Sequence, residues 1–129
     1  MKPELMLLVW AVTLTVVQML IAATGMMLQV GVPALAGNRE ALPAFTGWAG
    51  RACRAHHNML ENLVLFAALV LVAVATGKSN PTVLFGAQIF LWARVAYAAA
   101  YLIGVPWLRT GIWLVSMAGL VMMFLQLVR

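Results

Sequence analysis

Long apolar runs alternate with short polar breaks along the chain. Four runs are long enough to cross a bilayer, whose hydrocarbon core takes about 20 apolar residues per helix. They lie at about Leu5–Val32, Thr46–Ala75, Thr82–Ile103 and Trp107–Val128. Pro33, Pro43, Pro81 and Pro106 fall at the borders, where proline stops or starts a helix. The pattern predicts an all-α membrane protein, a four-transmembrane-helix bundle spanning 1–129 as a single domain. No linker, internal repeat or low-complexity tract interrupts it.

Composition strengthens this reading. Of 129 residues, 65% are hydrophobic and 9% charged. The mean hydropathy of +1.02 is far above that of soluble proteins. Ala34-Leu35-Ala36 resembles a signal-peptidase site, but the apolar run before it is much longer than a signal core of about 7–15 residues. The first span is therefore expected to be retained. Net charge is +5. Arg39, Arg51, Arg54 and Arg109 belong to one side of the membrane, and Lys2, Lys78 and Arg129 to the other. That bias places the arginine-rich side in the cytoplasm. With no basic cluster on a soluble surface, nucleic-acid binding is not expected.

The polar residues inside the spans carry the chemistry. At the mouth of the second span, Arg51, Arg54, Asn58 and Glu61 step by 3, 4 and 3 residues. At 3.6 residues per turn they share an arc of roughly 80°. His57 falls at the edge of that face. In the third span Arg94, Tyr97 and Tyr101 step by 3 and 4 and occupy an arc of about 60°. Arg94 lies about 15 Å from the Gly104 end, below the headgroups. An unpaired arginine at such depth costs roughly 2.5–3.5 kcal/mol. Glu61 is the one carboxylate at comparable depth, so the two are expected to approach each other, directly or through a ligand or water. Two polar faces opposite one another point to a ligand site.

Other polar residues read as packing. Cys53, the single cysteine, excludes an intrachain disulfide and has no base–orienter pair beside it. His56 and His57 are adjacent, point about 100° apart and offer too few ligands for a metal. Thr13, Thr15, Gln18 and Thr24 are expected to hydrogen-bond between helices. Ala96, Ala98, Ala99 and Ala100 allow close approach on the third span.

The two polar motifs resemble those of the MAPEG superfamily, the membrane-associated proteins in eicosanoid and glutathione metabolism. Its second-helix signature, Arg-x-x-Arg-Ala-x-x-Asn-x-x-Glu, stands here as Arg51, Arg54, Ala55, Asn58 and Glu61. Its third-helix signature, Ala-Arg-x-x-(Tyr/His)-x-x-x-Tyr, stands as Ala93, Arg94, Tyr97 and Tyr101, followed by a short loop and Arg109. The chain looks like a bacterial-type member, similar to the microsomal glutathione transferases. The resemblance implies a homotrimer in the bacterial inner membrane, with glutathione held between subunits as co-substrate. It implies binding through Arg54, Asn58, Glu61, Arg94, Tyr97 and Tyr101, and thiol activation by Arg109 aided by Tyr97 or Tyr101. Arg51 and His57 join the binding candidates by their place on the same helix face. Thr110 would offer a hydroxyl where the prostaglandin E synthase branch has a serine. The implied partners are membrane lipids and a lipophilic electrophile or hydroperoxide, and no metal takes part. The chain departs from the pattern at Leu28, which stands about where active eukaryotic members carry an arginine.

Two other classes compete. One is a non-enzymatic scaffold or lipid-binding protein on the same fold. The other is a small-molecule exporter. Such exporters carry a lone carboxylate, usually in the first helix, whereas Glu61 lies in the second span among cations.

Overall fold

The computed structural model describes all 129 residues. It contains α1 (Pro3–Val30), a short α2 (Val32–Ala36), α3 (Gly47–Ala75), α4 (Pro81–Ile103) and α5 (Pro106–Leu127). Four of these, α1, α3, α4 and α5, are long and apolar enough to cross a membrane. The borders agree with the pattern to within two residues, and proline marks the starts of α1, α4 and α5. Pro3, Pro81 and Pro106 each open a helix, where the missing N–H has no intrahelical partner to lose. Asn80 adds a cap, its side chain accepting a hydrogen bond from Val83 N at 2.9 Å. The one unexpected element is α2, with Pro33 in its first turn.

The spans run antiparallel in sequence. Thus α3 and α4 form a central pair, with α1 on one flank and α5 on the other. Close approach depends on glycine at one crossing. A Cβ on Gly86 would lie 2.7 Å from the Gly119 carbonyl oxygen, and one on Gly119 would lie 2.6 Å from that of Gly86. Without side chains there, α4 and α5 meet backbone to backbone. Farther along, Phe66 of α3 stacks on Phe90 of α4 at 4.3 Å, with Met59, Val70, Ala87 and Met123 buried around them. This apolar core leaves the polar residues for the other end of the bundle.

That end gathers the C-termini of α1 and α4 and the N-termini of α3 and α5. Gln29 closes the α1–α3 connection. Its carboxamide donates to the Thr46 carbonyl at 2.7 Å and accepts from the Thr46 N–H at 3.2 Å. At the opposite end Lys78 Nζ donates to the carbonyls of Leu127 and Arg129 at 3.0 and 3.1 Å, covering the end of α5.

The threonines of α1 do not act as expected. The hydroxyls of Thr13, Thr15 and Thr24 donate to the carbonyls of Val9, Ala11 and Leu20 in their own helix. A carbonyl one turn back is always within reach, so a hydroxyl in an apolar medium needs no second helix. Gln18 is buried, and its Oε1 has no partner within the chain.

Candidate functional site

Regular helix spacing puts Arg94, Tyr97 and Tyr101 on one face of α4, and the neighbours α3 and α5 each bring one further arginine to it. Arg94, on α4 itself, places its guanidinium 4.2 Å from the centre of the Tyr97 ring. Tyr97 and Tyr101 stand 5.6 Å apart, tilted by 59°. Arg109, from the first turn of α5, lies 4.5 Å from the centre of the Tyr101 ring. Arg54, from α3, donates through Nε to the Tyr101 hydroxyl at 3.2 Å. The result is a row of cation, ring, ring and cation, with a third guanidinium on the Tyr101 hydroxyl. Each cation–ring contact contributes about 0.5–1 kcal/mol when exposed and about 2 when desolvated.

Beside this series opens a cleft of about 180 Å³, lined by Asn58, Tyr97, Arg109, Thr110 and Trp113. Its lining is mixed, with a guanidinium and two hydroxyls facing an indole. Asn58 is held by the buried Asn62, whose Nδ2 donates to the Asn58 carbonyl and to its Oδ1 at 2.7 and 3.1 Å. The Nδ2 donor of Asn58 is thereby left for the cleft. The Thr110 hydroxyl donates to the Pro106 carbonyl at 3.1 Å, so toward the cleft its oxygen is an acceptor. Asn62 and Trp113 escaped the sequence reading. Both follow a recognised residue by four positions, Asn58 and Arg109, and so share its face.

The remaining residues separate into two groups. Arg94 is 1% exposed, and its Nε and both Nη atoms have no hydrogen-bond partner within the chain. It lies behind Tyr97 rather than on the cleft wall, and no direct hydrogen bond joins it to Glu61. Glu61, Arg54 and His57 instead form an exposed polar stripe on α3. Glu61 is about 21 Å from the start of α3 at 1.5 Å per residue, well within the apolar zone. Arg51 is half-buried and donates through Nε to the Leu102 carbonyl at 3.0 Å. No three of the chain's His, Cys, Asp or Glu side chains are grouped to hold a metal ion.

Four membrane-length apolar helices with a cationic and aromatic cluster gathered at one end define a multi-pass integral membrane protein. The sequence model of the MAPEG family matches residues 5–129, and the chain belongs to that family. Comparison with curated proteins and with solved structures gave no match.

Proposed function

We propose that the cleft binds glutathione and that Arg109 stabilises its thiolate for attack on a lipophilic electrophile or hydroperoxide. The observation that carries this reading is Arg109, which lines the cleft with Asn58 and Tyr97 and also packs over the Tyr101 ring whose hydroxyl Arg54 holds. Glutathione brings two carboxylates, two peptide groups and a thiol. Arg54 suits a carboxylate, Asn58 a peptide group, and Arg109 the sulfur. A free thiol of this type titrates near 8.5. A guanidinium within hydrogen-bond distance favours its ionised form. The N-terminus of α5, opening at Pro106, adds partial positive charge at the same place. The thiol proton leaves to water. The sulfur lone pair then forms the new bond to the electrophilic carbon, and the departing halide or opened epoxide oxygen takes the displaced electron pair. With a hydroperoxide the thiolate instead takes the terminal oxygen as a sulfenic acid, while the alkoxide leaves and is protonated to the alcohol. A second glutathione converts the sulfenic acid to the disulfide and water.

Size and polarity support a second copy beside the cleft, and the family resemblance makes the assembly a homotrimer. A ligand pocket usually encloses about 300–1,000 Å³, more than the cleft of one chain offers. The exposed Arg54, His57 and Glu61 lie on the same side of α3, where contact with lipid would be costly. A second copy covering this stripe supplies the missing wall, and Arg94 behind Tyr97 reinforces the positive field there. The arginine-rich end then faces the cytoplasm, where a charged tripeptide can enter while an apolar substrate arrives from the bilayer.

One observation favours binding without chemistry. Leu28 is apolar and 73% exposed, and by the family resemblance it stands about where active eukaryotic members carry a second thiol-facing arginine. The two readings part in one experiment on the purified protein. Binding is followed by calorimetry, and turnover with chlorodinitrobenzene and cumene hydroperoxide. Transferase or peroxidase function predicts that Arg109→Ala lowers turnover about a hundredfold and suppresses the thiolate absorbance of bound glutathione. Arg54→Ala should mainly raise the dissociation constant. Binding with no turnover of either compound leaves the ligand-binding reading, and no glutathione binding at all rejects both.

A further inference from the structure

We propose that Arg51 is a positioning residue that fastens α3 to the α4–α5 hairpin and thereby fixes where Arg109 stands. Its motif groups it with ligand-binding residues, but its contacts lie elsewhere. The final carbonyls of a helix have no intrahelical donors. For Leu102 the shortage is covalent, because the residue four positions on is Pro106, which has no N–H. The neighbouring donors are also committed, since Gly104 N and Val105 N both bond to the Ala100 carbonyl, at 3.0 and 3.3 Å. Arg51 Nε meets the Leu102 carbonyl at 3.0 Å. A cation is favourable at a helix C-terminus, and α4 has no basic residue in its own last turn.

The stem of Arg51 completes the fastening. Its Cδ and Nε lie 3.5 Å from where a Cβ on Gly104 would be, so the chain rests against the hairpin glycine. Gly104 has φ +89°, the left-handed conformation that turns the backbone out of α4. Only Gly104 and Val105 separate α4 from α5, and Arg109 is one turn into α5. A shift of the hairpin therefore moves the Arg109 guanidinium relative to Tyr101 and the cleft. Misplacement of a reacting group by about 1 Å can cost about a hundredfold in rate.

This role rests on the glutathione reading of the cleft, so the test includes a readout independent of it. Full-length protein in detergent carries Arg51→Ala or Arg51→Lys, with Arg54→Ala as comparator. Amide hydrogen exchange is followed in the peptide containing Gly104 and Val105, alongside the glutathione dissociation constant, KM and kcat. Arg51→Ala should speed hairpin exchange about tenfold, by loss of a charge-assisted hydrogen bond. It should lower kcat at least about tenfold while leaving the dissociation constant within about twofold. Arg51→Lys, which keeps a cation that can reach the carbonyl, should fold normally and restore much of both. A dissociation constant raised about tenfold with hairpin exchange unchanged would make Arg51 a ligand and overturn the proposal. Unchanged exchange and unchanged kcat would overturn it as well. Should the wild type bind no glutathione, the reading of the cleft fails, and hairpin exchange alone decides whether Arg51 holds the turn.

Discussion

Tyr101 has two arginine partners that act on different parts of it. Arg54 uses the hydroxyl as an acceptor, and Arg109 uses the ring face. Tyr101→Phe removes the first and keeps the second. Its expected effect is a rise of about five- to tenfold in the glutathione dissociation constant, the loss of one charge-assisted hydrogen bond, with kcat less affected. Calorimetry and steady-state kinetics check the split. Arg94 poses the opposite question. Stacking on Tyr97 returns about 2 kcal/mol, less than the roughly 2.5–3.5 kcal/mol of placing an arginine mid-membrane, and none of its nitrogens is satisfied within the chain. Arg94→Met keeps a long flexible side chain and removes the charge. If the guanidinium stays unpaired in the assembly, the variant should match or exceed wild-type thermal stability in detergent. A loss of about 3 kcal/mol or more would reveal a partner gained from a second copy or a ligand.

At the level of elements, α4 and α5 cross with backbone against backbone. Gly86 and Gly119 oppose each other with backbone oxygen at the position a Cβ would need, and backbone cannot swing aside. Gly86→Ala and Gly119→Ala should each destabilise the protein by about 1–3 kcal/mol through overpacking. Gly111 lies in the same helix, α5, with open space around it. Gly111→Ala should be neutral or stabilising by up to about 1 kcal/mol, since alanine is the better helix former. Unfolding in mixed micelles, followed by tryptophan fluorescence, would rank the three. Equal losses at all three positions would contradict the packing argument. Because α5 also carries Arg109, loosening of this crossing should lower activity before the protein unfolds.

For the whole molecule the question is what covers the polar stripe of α3. With Arg54, His57 and Glu61 on one side, a lone chain would present them to lipid. Native mass spectrometry should find a species of three times the 14.0 kDa chain mass. A stable monomer would remove the second wall of the proposed site. Orientation has its own check. With Cys53→Ala as background, an impermeant maleimide applied to intact cells should label Thr76→Cys and spare Asn38→Cys until the membrane is opened. The reverse pattern would turn the arginine-rich end outward.

Much of this was determined by the sequence, because the bilayer leaves few choices. Apolar length fixed four spans, and proline marked where α4 and α5 begin. Helical periodicity alone put Tyr97 and Tyr101 on one face and Arg54 with Glu61 on another. The two motifs were specific enough to indicate the family. Contacts between helices were another matter. Periodicity gives the face of a residue on its own helix, whereas its partner depends on the rotation and depth of the next one. So Arg51, grouped with Arg54 by spacing, ends on the Leu102 carbonyl, and Arg94, matched to Glu61 by depth, ends over Tyr97. The glycine pair Gly86 and Gly119 is unremarkable in either helix alone and acquires meaning at their crossing. Tertiary structure decided these points because a polar group in an apolar medium takes the nearest acceptor or ring, and nearness is a property of the packed bundle.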